Sequence, residues 1–129
     1  MKEQLTTDVL IIGGGPAGML SAIYLDLLGV SSIVLERKAE ISQHPKAHEL
    51  SARSIEILQQ LGFSLEDLAS PEPYLNLSQT ELEKLMRKRL KNCSGAELFL
   101  SHQWESWEEK EGEVVSKVKR LSDGEEMII

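Results

Sequence analysis

The first regular feature along the chain is an unbroken apolar run, Val9-Leu10-Ile11-Ile12, whose β-favouring side chains predict a strand buried on both faces of a parallel sheet. It runs into Gly13-Gly14-Gly15. Pro16 suits the first turn of a helix, and Leu20, Ile23, Tyr24 and Leu27 recur at helical spacing until Gly29 stops it. A second run, Ile33-Val34-Leu35, is closed by Glu36, so residues 6–36 predict a β-α-β unit. Past a polar loop containing Pro45, the positions Leu50, Ser54, Ile57, Leu58 and Leu61 make one helical stripe ended by Gly62. Ser70-Pro71-Glu72-Pro73 predicts a loop. Ser78-x-x-Glu81 then reads as a capping box opening a helix whose inner face is Leu82, Leu85, Met86 and Leu90 and which ends near Asn92.

Glu97-Leu98-Phe99-Leu100 predicts a third strand. The rest has the pattern of hairpins: Trp104 to Glu109, a turn at Glu111-Gly112, Val114 to Leu121, and Asp123-Gly124 before Met127-Ile128-Ile129. The fold class expected is therefore α/β: a Rossmann-type βαβ half-domain over residues 6–36, a helical segment over 47–92, and a third strand with an antiparallel β-meander over 96–129. The sequence stops in the middle of the last predicted strand, and the expectation is that the natural polypeptide continues.

The 129 residues set one domain as the ceiling, and 41% hydrophobic with 27% charged residues is ordinary for a soluble globular chain. A formal net charge of -7 repels polyphosphate backbones and anionic membranes at long range, so no nucleic-acid or membrane partner is expected. Any phosphate must be held locally. The single Cys93 provides neither a disulfide nor a CxxC pair, which suits a reducing, cytoplasmic setting, and the polar N-terminus contains no targeting segment.

Gly13-x-Gly15-x-x-Gly18 lies between a predicted strand and a predicted helix, the context in which this motif has a physical meaning. The first glycine permits a tight turn, the second lets a pyrophosphate approach the backbone, and the third lets helix and strand pack closely. Free N–H groups at the helix start then bind the diphosphate, which needs no basic side chain. Glu36 stands 18 positions after Gly18 at the end of the second strand, where a carboxylate accepts hydrogen bonds from ribose hydroxyls. The pattern indicates dinucleotide binding and leaves FAD and NAD open.

The spacing of Gly13, Gly15, Gly18, Ala22 and Gly29 resembles the extended fingerprint of FAD-containing oxidoreductases. Glu36-Arg37, His44-Pro45-Lys46-Ala47-His48, Leu50-x-x-Arg53-Ser54-x-Glu56-Ile57-Leu58-x-x-Leu61-Gly62 and Ser78-Gln79-Thr80-Glu81-Leu82-Glu83 are together similar to group A flavoprotein monooxygenases, the phenol and para-hydroxybenzoate hydroxylase relatives. The resemblance implies that Gly13, Gly14, Gly15, Pro16, Ala17 and Gly18 wrap the pyrophosphate, that Glu36 and Arg37 hold the adenosine end, and that Gln79 reaches the ribityl-phosphate region. Lys46 stands where many relatives have an arginine; it offers a cation without a planar two-pronged contact. The resemblance further implies FAD as cofactor, NAD(P)H as co-substrate and an aromatic or phenolic substrate hydroxylated by the parent enzyme, of which this chain is the N-terminal segment. No residue named here is a proton-transfer catalyst. The alternative is a non-catalytic FAD- or ADP-binding module or truncated gene product.

Several other features carry a plainer reading. His44 and His48 flank Pro45, which breaks the helix that would align them on a metal, so no metal site is expected. His102, Trp104 and Trp107 read as hairpin packing, with tryptophans three apart on opposite faces of an alternating strand. The cations Lys84, Arg87, Lys88, Arg89 and Lys91 read as a solvated helix end that complements the dipole.

Overall fold

The computed structural model describes residues 3–40, 49–50, 52–63, 75–76 and 79–129. Strands β1 (Glu3–Gln4) and β2 (Val9–Ile12) precede helix α1 (Pro16–Leu27) and strand β3 (Ser32–Glu36). Next come β4 (Glu49–Leu50), α2 (Ala52–Gln60), β5 (Leu75–Asn76) and α3 (Gln79–Lys91). The chain closes with β6 (Ala96–Leu100), β7 (His102–Lys110), β8 (Glu113–Arg120) and β9 (Glu126–Ile128).

The predicted β-α-β unit is present: β2 and β3 pair in parallel with Val9 opposite Ser32, and β3 pairs in parallel with β6, giving a sheet ordered β2-β3-β6. Alternation along β3 sends its side chains to two separate cores. Val34 faces α1, α2 and α3, where Met19, Ala22, Ile23, Leu58, Leu61, Met86 and Leu90 are buried. Ile33 and Leu35 face the other way, against Val118 and Met127 of the meander. The result is three layers, helices, parallel sheet and meander, joined through one central strand.

Helix α1 ends as its sequence dictates: Gly29 has φ 77°, and the N–H groups of Gly29 and Val30 bond back to the carbonyls of Asp26 and Leu25. Asp26 also reaches forward, where Oδ1 accepts from the N–H of Gly95 at 2.9 Å and ties the helix end to the start of β6. Asp8 does the same at the other end of β2, accepting from both the N–H and the hydroxyl of Ser31. Leu82, Met86 and Leu90 of α3 are buried and Leu85 packs against them, as their spacing predicts.

The meander forms with its turns where expected. Glu111 and Gly112 both have positive φ, the two-residue turn geometry whose twist matches the flanking strands, and Gly124 (φ 78°) turns β8 into β9. The N-terminal polar segment, which shows no strand pattern, adds β1 to this sheet parallel to β9, in the order β1-β9-β8-β7.

Three expectations are corrected. The run Val9–Ile12 is not buried on both faces: β2 is the edge of its sheet among the described residues, and Ile12 is 56% exposed. Leu50 is not in the helical stripe; it lies in β4, paired with β5, and the helix begins at Ala52. Trp104 and Trp107 are on the same face, because the register slips between Trp104 and Ser106 and the extra residue resets the alternation. Trp104 accordingly stands opposite Val118 and Trp107 opposite Ser116. The stretch Ser70–Pro73, the histidines His44 and His48, and Ser78 lie outside the described residues.

Candidate nucleotide-binding site

The glycine-rich turn sits at the carboxyl end of β2, between that strand and the start of α1. Gly13 has φ 107°, a conformation that side chains strongly disfavour, and its N–H donates to the Leu35 carbonyl at 2.8 Å, holding the turn against β3. Gly15 is the residue before the helix and Pro16 its first member, with no side-chain cap. The first helical hydrogen bond runs from the Met19 N–H to the Gly15 carbonyl at 3.0 Å. By helix geometry the N–H groups of Ala17 and Gly18 have no intrahelical acceptor, so they are available to an anion at the positive end of the helix dipole.

The two outer glycines of the motif serve different ends. A methyl group on Gly18 would stand well inside contact distance of the Gly13 carbonyl oxygen and 3.1 Å from its carbon, so Gly18 lets the helix press on the turn. A methyl group on Gly15 would meet nothing within 4 Å. The space beside Gly15 is open to a ligand.

Glu36 ends β3 beside this turn, and both of its carboxylate oxygens are engaged by backbone. Oε1 accepts from the N–H of Gly14 at 3.1 Å and Oε2 from the N–H of Lys38 at 2.7 Å. Gly14 is itself buried, and a methyl group there would be 2.8 Å from Glu36 Cβ and 3.3 Å from Leu98 Cδ1.

An open cavity of about 300 Å³ lies against this corner, lined on one side by Gly13, Leu35, Glu36 and Arg37 and on the other by His102, Gln103 and Trp104. The second wall follows from topology. Because β6 runs parallel to β3 with Glu36 opposite Leu100, the residues just after Leu100 emerge beside Glu36 at the carboxyl end of the sheet, where open α/β sheets bind ligands. His102 is fixed there: its Nδ1 donates to the Leu100 carbonyl at 2.6 Å and its ring tilts against Phe99 with centroids 5.2 Å apart. Trp104 donates from Nε1 to the Ser116 hydroxyl at 3.1 Å. His102 and Trp104 read as hairpin packing in the sequence, and Gln103 is not singled out there; the signal that finds all three is the pairing of a third parallel strand with the strand that ends in Glu36.

Of the residues expected to form the site, Gly13 to Gly18, Glu36 and Arg37 therefore meet at one corner, with Arg37 exposed at the cavity wall. Lys46 lies outside the described residues. Gln79 is the first residue of α3, and its side chain is likewise outside them. Arg89, read as part of a solvated face, instead uses Nε to donate to the Leu61 carbonyl at 3.1 Å and Nη1 to approach Cys93 Sγ at 3.3 Å. Burial, and then the hydrogen bond and charge of Asp26, push the Cys93 thiol above its ordinary pKa, against the opposing pull of Arg89. This cysteine is held away from thiolate chemistry.

The donor set fits a dinucleotide diphosphate: uncapped N–H groups, open space at Gly15, and a carboxylate within the cavity wall. Residues 6–67 match the family described as FAD binding domain. The chain is 37% identical over 76 residues to 2,4-dichlorophenol 6-monooxygenase of Delftia acidovorans, a match covering 57% of this chain and 13% of that protein. It is 35% identical over 74 residues to phenol 2-monooxygenase of Pseudomonas sp. strain EST1001, covering 57% and 12%. The chain thus spans only a small part of the length of these relatives. Among solved structures, the flavin-dependent monooxygenase PieE, in complex with FAD and substrate, superposes with a TM-score of 0.83 at 24% identity, over 96% of this chain and 28% of that one. The p-nitrophenol 4-monooxygenase PnpA of Pseudomonas putida DLL-E4 superposes with a TM-score of 0.81 at 20% identity, over 98% and 39%. No helix among the described residues is long and apolar enough to cross a membrane. With its β-α-β corner, its meander and its glycine-rich turn, this chain has the fold of the flavin-dependent monooxygenases it superposes on, and its residues 6–67 match an FAD binding domain.

Proposed function

We propose that residues 1–129 form the part of an FAD-binding domain that holds the adenosine diphosphate half of the cofactor, within a polypeptide that hydroxylates an aromatic or phenolic substrate at the expense of NAD(P)H. The observation that carries the reading is the uncapped start of α1 with open space at Gly15, at the end of the same glycine turn whose Gly13 lines a cavity together with Glu36. In this reading the N–H groups of Gly15, Ala17 and Gly18 receive the diphosphate, with Gly13 and Gly14 shaping the turn and Pro16 setting the first helical φ. Glu36 accepts from the ribose hydroxyls, and Arg37 covers the adenosine end. Lys46 and Gln79 extend the contacts toward the phosphate and ribityl chain. Bound flavin supplies the redox chemistry and oxygen activation; the residues of this chain bind it and orient it. None of them moves a proton in the reaction.

The direct test is titration of the purified chain with FAD, ADP and FMN, followed by calorimetry or flavin fluorescence. Saturable binding of FAD and ADP with little binding of FMN is expected, since every residue assigned here addresses the adenosine diphosphate half. Binding of FMN as tight as FAD, or of neither FAD nor ADP, refutes the assignment. A second reading is a non-catalytic FAD- or ADP-binding module, since every residue assigned here binds the cofactor and none reacts. NADPH or NADH oxidation dependent on a phenol panel separates the two: turnover by the 129-residue chain with FAD contradicts the module.

A further inference from the structure

We propose that Glu36 is a positioning residue for the phosphate-binding turn as well as a ribose ligand, acting through its hydrogen bond to Gly14. The inference rests on the FAD reading above and concerns how the turn is held in shape before any ligand arrives. Two N–H groups of the turn point into the protein: that of Gly13 to the Leu35 carbonyl at 2.8 Å and that of Gly14 to Glu36 Oε1 at 3.1 Å. With those two fixed inward, the N–H groups that follow are left for the anion. The second carboxylate oxygen is anchored at the Lys38 N–H, 2.7 Å away, so one side chain bridges the glycine turn and the exit of β3.

The bridge is compatible with ribose binding. Each carboxylate oxygen has two lone-pair directions, so two backbone N–H groups leave capacity for two hydroxyls. The bridge is also needed. Gly14 is buried and its N–H donates to Glu36, so when that carboxylate is removed the turn must rearrange to find another acceptor or carry an unsatisfied donor. A diphosphate that then binds must first order the turn, and the cost appears as lost affinity. The steric fit points the same way: the Gly14 backbone lies so close to Glu36 that a methyl group would be 2.8 Å from its Cβ.

A ligand without ribose hydroxyls isolates this role. The affinities of ADP and 2′,3′-dideoxy-ADP are measured by calorimetry on the 129-residue chain and on Glu36→Ala and Glu36→Gln, alongside amide hydrogen exchange of Gly14 without ligand. If Glu36 acts only on hydroxyls, its removal leaves dideoxy-ADP binding unchanged. The expected result is a loss of about tenfold for dideoxy-ADP in Glu36→Ala, with a larger loss for ADP, and fast exchange at Gly14. Glu36→Gln keeps an oxygen for the Gly14 N–H, so its Gly14 amide stays protected and dideoxy-ADP binding stays within about threefold of the parent chain. Should Glu36→Ala fail to fold, Glu36→Asp, whose shorter side chain cannot span to Gly14 without moving the turn, takes its place. Dideoxy-ADP binding within twofold of the parent in a folded variant whose Gly14 amide has lost protection overturns the proposal alone. Failure of the parent chain to bind either nucleotide overturns it together with the FAD reading.

Discussion

Alanine at Gly15 and alanine at Gly18 separate a glycine kept for the ligand from a glycine kept for the fold. At Gly18 an alanine should help on propensity alone, by about 1 kcal/mol relative to glycine in a helix. Its methyl group, however, would press into the carbonyl of Gly13, a backbone group in a turn already committed to φ 107°. Neither the turn nor the helix can yield without losing the contacts that join them, and overpacking of this kind costs about 1–3 kcal/mol or more. A net loss of about 1–2 kcal/mol is expected, lowering Tm by several degrees for a chain of this size. Gly15 differs on every point. Its φ of -78° and ψ of -174° are open to alanine, and the added methyl group meets nothing within 4 Å. The poorer capping by alanine is offset by a less disordered unfolded chain, so stability should change by no more than about 0.5 kcal/mol. The methyl group instead occupies the approach of the diphosphate. Loss of even one charge-assisted hydrogen bond, about 1.5–3 kcal/mol, weakens FAD binding by about 10- to 100-fold. Urea denaturation and FAD titration of both variants measure the two quantities. A Gly15→Ala variant that binds FAD like the parent, or a Gly18→Ala variant of unchanged stability, would refute the reasoning.

Three further outcomes are expected. Arg120, and then the Glu125 N–H, hold the Asp123 carboxyl at about 2, below its ordinary 3.8, so the stabilising contact is complete above pH 3.8 and is lost as pH falls toward 2; an NMR titration of Arg120→Ala should move the Asp123 midpoint up toward its ordinary value, with the Glu125 N–H keeping part of the shift, and an unchanged midpoint contradicts the pairing. Asp26→Ala leaves the Gly95 N–H without its acceptor and should cost about 1–3 kcal/mol in urea denaturation; a cost near zero would mean that the link between α1 and β6 carries no weight. Cys93 should react slowly with a thiol reagent in the folded chain and quickly in denaturant, and equal rates in both would contradict its burial and raised pKa.

What the sequence made legible was what depends on local period and on glycine. The run Val9–Ile12, the motif glycines and Glu36 together define a β-α-β corner, because each constrains the backbone at its own position. The meander turns were legible for the same reason: Glu111-Gly112 and Gly124 need positive φ. The features missed depend on partners distant in sequence. The pairing of Glu3–Gln4 with β9 joins a polar segment that has no strand pattern to a strand at the other end of the chain. The slip between Trp104 and Ser106, which puts both tryptophans on one face, is a property of the pair β7 and β8 rather than of either strand. His102 and Gln103 reach the cavity only because β6 lies beside β3. Half-burial of β2 likewise depends on what stands next to it, and an apolar run cannot say which neighbour a strand has.

The central claim is tested most directly by following the amide resonances of the isotopically labelled 129-residue chain as FAD is added. The account predicts that shifts concentrate at Gly13 to Gly18, at Glu36 and Arg37, and at His102 and Gln103. Shifts centred instead on the far end of the meander, around Trp107 and Ser116, or on Lys84 to Lys91 of α3, would contradict it.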